Sequence, residues 1–325
     1  MKKFILLCCL CLCSMVVCAQ WVSSPDTETA YELVGKQKFG KAFPIMEKEA
    51  LRGVAKAQFG LGLMYFDGLG IPRNVGKAVE WFEKSANGGL ADAQKMMGKL
   101  YLIGQDVPQD CKKALMWLEK AGKQNNAEAY YLMGNIYAEG RYVPQDYNKA
   151  LQCYLSAGSM GHAESFSNVA AMYMNGWGTA QDYKKAFDYY VKAAYSGYFE
   201  AEFKIGLIYE QGIGVPQDYR LAALWYEKAA KSGVPEGQFA FGNLLFSGQG
   251  VQKDTKKAKE WFEKSALQGF APAQYNLGVM YYEGTGIKID RKKAKEWLRK
   301  AAAQGHQEAQ AALDSIPPER SEFFK

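Results

Sequence analysis

Apolar positions along this chain recur with helical spacing. Ala78, Trp81, Phe82, Ser85 and Ala86 stand at i, i+3, i+4, i+7 and i+8, the stripe of an amphipathic helix. The preceding segment, Ala55 to Asp67, predicts a first helix. Gly68 ends it, because only glycine enters the left-handed conformation of a helix C-terminus at little cost. A loop, Gly68-Leu69-Gly70-Ile71-Pro72, follows. Asn74 then offers a short side-chain acceptor for the free N–H groups of the next helix. That second helix is predicted to stop near Gly89.

The same layout returns every 36 residues without insertion or deletion. From Gly62 the step lands on Gly98, Gly134, Ala170, Gly206, Gly242 and Gly278. Tyr65 is followed by Tyr101, Tyr137, Tyr173, Tyr209, Leu245 and Tyr281, and Asn74 by Asp110, Asp146, Asp182, Asp218, Asp254 and Asp290. Gly89 is matched by Asn125, Gly161, Gly197, Gly233, Gly269 and Gly305. A fixed period of this length marks a helical solenoid, in which each unit buries its apolar face only against its neighbours. Mid-helix glycine costs about 1 kcal/mol relative to alanine. Its recurrence at the Gly62 phase therefore predicts a close approach of the paired helices, with the Trp81 and Tyr65 phases filling the flanks.

The pattern Ala-x-x-x-Leu-Gly-x-x-Tyr-x-x-Gly-x-Gly-Val-x-x-Asp-x-x-x-Ala-x-x-Trp-Tyr-x-x-Ala-Ala-x-x-Gly, nearly complete from Ala201 to Gly233, resembles the Sel1-like repeat, a relative of the tetratricopeptide repeat. The resemblance implies an all-α, right-handed superhelical solenoid of antiparallel helix pairs. Seven units span 54–305. Residues 20–53 are expected to form a degenerate helix-pair cap, with Ala30 and Ala42 twelve apart, and 306–325 a capping helix and tail. Asp106 and Tyr142 replace the second loop glycine, and Cys153 replaces the Trp, so repeats two to four are expected to differ locally in their loops.

Residues 1–19 read as a secretory signal peptide. Lys2 and Lys3 precede an apolar run from Phe4 to about Val17, and Val17-Cys18-Ala19 offers a cleavage site before Gln20. No later stretch is apolar enough for a stable membrane span. There is no Asn-x-Ser/Thr sequon after Ala19, which favours a bacterial periplasmic or secreted protein over one of the endoplasmic reticulum lumen. The formal charge of +6 falls on removal of the two N-terminal lysines. The remaining basic residues stand beside glutamates along the helices, a solvated face and not a nucleic-acid footprint. Five of the seven cysteines lie in the signal peptide; Cys111 and Cys153 occupy different phases and are expected to be free thiols.

Candidate chemistry is sparse. The two histidines, His162 and His306, share a turn phase four repeats apart and cannot meet in one site. The chain after Ala19 has no Ser-x-x-Lys, Gly-x-Ser-x-Gly or His-Glu-x-x-His, and its Gly-x-Gly pairs follow helices instead of strands. Cys111 adjoins an N-cap, where a helix dipole can favour a thiolate. These features point to no enzyme, cofactor or metal, but to a scaffold for protein or peptide partners. The family resemblance carries one alternative, the penicillin-binding, weakly β-lactamase-like activity of cysteine-rich members, whose paired cysteines in each repeat this chain lacks.

By analogy with tetratricopeptide grooves, the phases of Leu63, Phe66 and Asp67 face the concave surface. They vary down the array where the scaffold phases do not: the Phe66 phase, for instance, reads Phe66, Leu102, Ala138, Met174, Glu210, Phe246 and Tyr282. Asn135, Glu139, Asn175, Gln211 and Asn243 are the candidate partner-binding residues, amides and a carboxylate suited to a peptide backbone and basic side chains.

Overall fold

The computed structural model describes residues 23–141 and 143–316, and among these every element is an α-helix. Residues 23–162 and 163–316 form separate compact units. The signal-peptide reading, Tyr142 and Pro317-Pro318 lie outside the described residues.

The first unit begins with α1 (Pro25–Gly35) and α2 (Phe39–Leu51). Three helix pairs follow: α3 (Ala55–Asp67) with α4 (Val75–Asn87), α5 (Ala91–Ile103) with α6 (Cys111–Gly122), and α7 (Ala127–Glu139) with α8 (Tyr147–Ser159). The second unit has four pairs: α9 (Ala163–Asn175) with α10 (Tyr183–Tyr195), α11 (Glu200–Gln211) with α12 (Tyr219–Lys231), α13 (Pro235–Ser247) with α14 (Thr255–Leu267), and α15 (Ala271–Glu283) with α16 (Arg291–Ala302). A final short helix, α17 (Gln307–Ser315), is capped by His306, whose Nδ1 accepts the Ala309 N–H.

The predicted boundaries are found where the local chemistry requires them. Gly68, Gly104, Gly140, Gly212, Gly248 and Gly284 all end first helices in the left-handed conformation. Asn74 and the six aspartates of its phase each accept an N–H from the first turn of the second helix. Asn125 takes the positive φ that glycine takes in the other repeats. The loops are tied by a device not recognised in the sequence: Gln109, Gln145, Gln181 and Gln217 donate to the carbonyls of Leu102, Ala138, Met174 and Glu210 in the last turn of the preceding helix.

The mid-helix glycine does permit close approach, with the Trp phase at the flank and the next residue along seated over the glycine. A Cβ on Gly62 would lie 2.6 Å from Phe82, and one on Gly206 2.5 Å from Tyr226. The residue after the Trp therefore seats on the glycine. The Trp itself lies half-exposed at the flank in several repeats, with Lys84 4.0 Å above Trp81 and Lys264 3.9 Å above Trp261. A side chain one residue further along a helix points about 100° away, so only one of two adjacent aromatics can face the partner helix.

Successive repeats are joined by buried side-chain bonds. Gln94 donates to the Ala86 carbonyl at 3.1 Å, and Gln238 and Gln274 repeat the contact with Ala230 and Ala266. The second loop glycine serves the same joint: at Gly214, φ is +69° and a Cβ would lie 2.4 Å from the Tyr183 Cβ of the preceding repeat. Asp106, at this phase, does not take a positive φ, consistent with the locally different loop expected there.

Candidate binding face

The first helices carry the side chains that vary, and the structure divides the five candidates. Asn135 and Glu139 stand one turn apart on α7 and line a cavity of about 270 Å³ with Leu102, Ile103, Gln109, Ile136 and Arg141. Asn135 is half-buried, and its Oδ1 accepts the Tyr154 hydroxyl at 2.7 Å. Glu139 is exposed and pairs with the Arg141 Nε at 3.3 Å. Asn243 lines a second cavity, of about 260 Å³, between α11 and α13, and its Oδ1 accepts from Asn276 on α15 at 3.3 Å. Asn175 and Gln211 are exposed at helix ends and line neither cavity; the Asn175 amide is used on the Ala171 carbonyl of its own helix.

Several residues of this face were not singled out from the sequence. Phe203 and Phe239 belong to a phase that runs Phe59, Lys95, Tyr131, Ser167, Phe203, Phe239 and Tyr275, and in four repeats its aromatic packs against the ring seated over the glycine, stacked in Phe203–Tyr226 and tilted in the others. A 36-step reading of that phase would have found them. Glu210 accepts the Tyr226 hydroxyl at 2.5 Å; burial, and then this carboxylate, hold the phenol far above its usual range. A third cavity, of about 310 Å³, lies between α13 and α15, walled by Phe246, Phe262, Tyr275, Val279 and Met280.

In the first unit the face carries its own ion pairs. Glu128 on α7 accepts from Lys95 at 2.8 Å and from Lys99, both on α5. Burial opposes ionisation of Glu128, yet the two lysines hold its carboxyl below the usual range.

The remaining candidate chemistry disperses. His162 stacks on Tyr131 at 4.3 Å and His306 on Tyr275 at 4.9 Å, the same contact in different repeats. Cys111 and Cys153 are free and buried. Burial pushes the Cys153 thiol up to about 11, and burial together with Asp110 raises Cys111, against the pull of the adjoining helix start. Among the described residues no helix is long and apolar enough to cross a membrane.

The repeat family that matches is described as Sel1 repeat, over residues 55–90, 91–126, 127–162, 167–198, 199–234, 235–270 and 271–306. The chain belongs to the Sel1 repeat family. Among solved structures, the Sel1 repeat protein from Oxalobacter formigenes is 30% identical, with 93% of this chain and 90% of that one covered and a TM-score of 0.76. The protective antigen c5321 of uropathogenic Escherichia coli is 31% identical over 86% of this chain, with a TM-score of 0.77. This chain spans 62% of that antigen's length. No curated protein matches. Sel1 repeats form a scaffold type of fold that mediates protein–protein interaction, and proteins built of them are generally non-catalytic.

Proposed function

We propose that this Sel1 repeat chain is an exported bacterial scaffold that binds a protein or peptide partner along the exposed face of its first helices. The observation that carries the reading is the set of three partly apolar cavities on that face, each lined by variable positions. Such cavities accept partner side chains, while neighbouring amides and carboxylates supply hydrogen bonds. Lys2, Lys3, the apolar run and Ala19 support export, as does the bacterial origin of the two relatives described above.

A photo-crosslinking amino acid placed at Glu139, Gln211 or Asn243 tests the face, with Met116 and Leu224 on second helices as controls; both are exposed. Discrete adducts are expected from the first-helix positions alone. Equal yields from the controls would sink the assignment. For export, the N-terminus of the cellular protein is expected at Gln20, and an intact Met1 would overturn that part.

A further inference from the structure

The two cavities of the second unit share α13 as a common wall: Phe239 and Asn243 face one, Phe246 the other. Their floors are aromatic and aliphatic, and their polar rims hold Glu210 and Glu236 in the first cavity and Glu283 in the second. No lysine or arginine lines either cavity. Among the described residues none of these three carboxylates has a basic partner within ion-pair distance. Two cations border these walls: Lys204, whose Nζ lies 5.5 Å from the Phe203 ring centroid, and Lys253, whose Nζ lies 6.0 Å from that of Phe246.

The first unit provides the contrast. There Glu128 is matched by Lys95 and Lys99, and Glu139 by Arg141. The same imbalance is visible across the helices of the seven repeats. The first helices carry 10 carboxylates against 4 lysines, while the second helices carry 22 basic side chains against 8 acidic ones. Carboxylates at the rim of an apolar groove, unmatched by the protein's own cations, favour a ligand that brings them.

We propose that the α11–α13–α15 face of the second unit binds an extended peptide in which apolar side chains alternate with lysine or arginine. The apolar side chains enter the two cavities, of about 260 and 310 Å³. An apolar cavity of about 150 Å³ already holds benzene, so each takes one aromatic or leucyl group. The cationic side chains reach Glu210 and Glu236 on one side of α13 and Glu283 on the other. This inference rests on the reading that first-helix faces dock partners, and it adds the partner's chemistry.

The test uses the full chain and three fluorescent peptides: one alternating lysine with phenylalanine and leucine, one with glutamate replacing each lysine, and one alternating lysine with glycine and serine. Binding is expected for the first alone, and is expected to weaken with salt. Combining Glu210→Gln, Glu236→Gln and Glu283→Gln should weaken it roughly tenfold or more. Gln at position 210 still offers an acceptor to Tyr226, and the thermal melt reports whether the fold is intact. Glu119→Gln, on the second helix α6 of the first unit and paired with Lys123, should leave affinity unchanged. Equal binding of the glutamate peptide, equal binding of the glycine–serine peptide, or indifference to the triple substitution would overturn the proposal. Crosslinks from Asn243 that map to acidic partner segments would overturn it too, while leaving the docking face standing. An absence of first-helix crosslinks would remove the face itself.

Discussion

The Tyr226 ring lies where a side chain on Gly206 would have to be: a Cβ added there would sit 2.5 Å from the ring's Cδ1. The contact joins the first and second helices of one repeat. It recurs as Gly62 with Phe82, Gly98 with Leu118, Gly134 with Tyr154, Gly242 with Phe262 and Gly278 with Leu298. In repeat four Ala170 takes the glycine's place and shares a core with Tyr190, so a spread of one methyl group between paired helices is attainable.

Gly206→Ala is therefore expected to destabilise the protein even though alanine is the better helix former. Overpacking costs typically ~1–3 kcal/mol, against ~1 kcal/mol gained in helix propensity. The Ala170 repeat places the net loss at the low end, about 1 kcal/mol by denaturant titration. Gly76→Ala is the control: its nearest neighbour is the Asn74 Oδ1 at 3.6 Å, and a gain of ~0.4–1 kcal/mol is expected. Equal responses at the two sites would remove the packing explanation.

Much of the scaffold was legible in the sequence because each signal acts within a few residues. A left-handed glycine at a helix end or an aspartate accepting the N–H three residues on needs no knowledge of the neighbouring helix. Which of Trp81 and Phe82 faces Gly62 is another matter, since both are aromatic and adjacent, and the rotation of one helix against another decides. The binding face was harder for the same reason. Asn135 reads as a free amide along the chain, but its acceptor is used by Tyr154 on the paired helix. The repeat comparison found the positions that vary; it could not tell which of them had been recruited into packing.

The N-cap aspartates make acid stability separable from fold. Asp146, Asp182 and Asp254 are held below the usual carboxylate range, chiefly by the backbone N–H groups of Lys149, Lys185 and Lys257. A depressed folded-state value means that the stabilisation is present above the unfolded carboxyl value of about 3.9 and is lost as pH falls through the lower folded one. Asn74 fills the same role without titrating. Replacing the three aspartates with asparagine should preserve the neutral-pH melting temperature and flatten its decline between about pH 4 and 2. Alanine at the same sites should lower the melt at every pH. An acid limb unchanged by asparagine would show that these caps do not set it.

The two described thiols should resist modification in the native protein. Cys153 is pushed up to about 11 by burial, and Cys111 is raised by burial and by Asp110. At pH 8 neither presents an accessible thiolate. Alkylation followed by peptide mass spectrometry should find both unmodified in buffer and both modified in guanidinium. Rapid native labelling of Cys111 would mean that its helix start does activate it.

Glu128 links two successive first helices, and its removal should be felt as a salt-dependent loss. Burial works against its charge, but the hydrogen bonds from Lys95 and Lys99 hold the carboxyl below the usual range. Its contribution is accordingly present at neutral pH and lost as pH falls through the folded value. The lysines are partly exposed, so Glu128→Gln is expected to cost no more than about 1 kcal/mol, shrinking in high salt. A cost that does not change with salt would assign Glu128 a packing role instead.

Asn135 separates a binding position from a structural one. Its Oδ1 accepts the Tyr154 hydroxyl at 2.7 Å, and the Tyr154 ring fills the space over Gly134. Asn135→Ala removes that acceptor from a largely buried phenol and is expected to cost ~1 kcal/mol. Asn135→Asp keeps an acceptor in place and should retain most of the stability. Glu139, one turn away and exposed, has no such duty, so Glu139→Ala should leave the thermal melt unchanged. Partner capture measured on all three variants then divides the cavity between them. Loss of capture in Glu139→Ala without loss of stability marks recognition. Loss in Asn135→Ala that Asn135→Asp restores marks the Tyr154 bond as the support on which the cavity's shape depends.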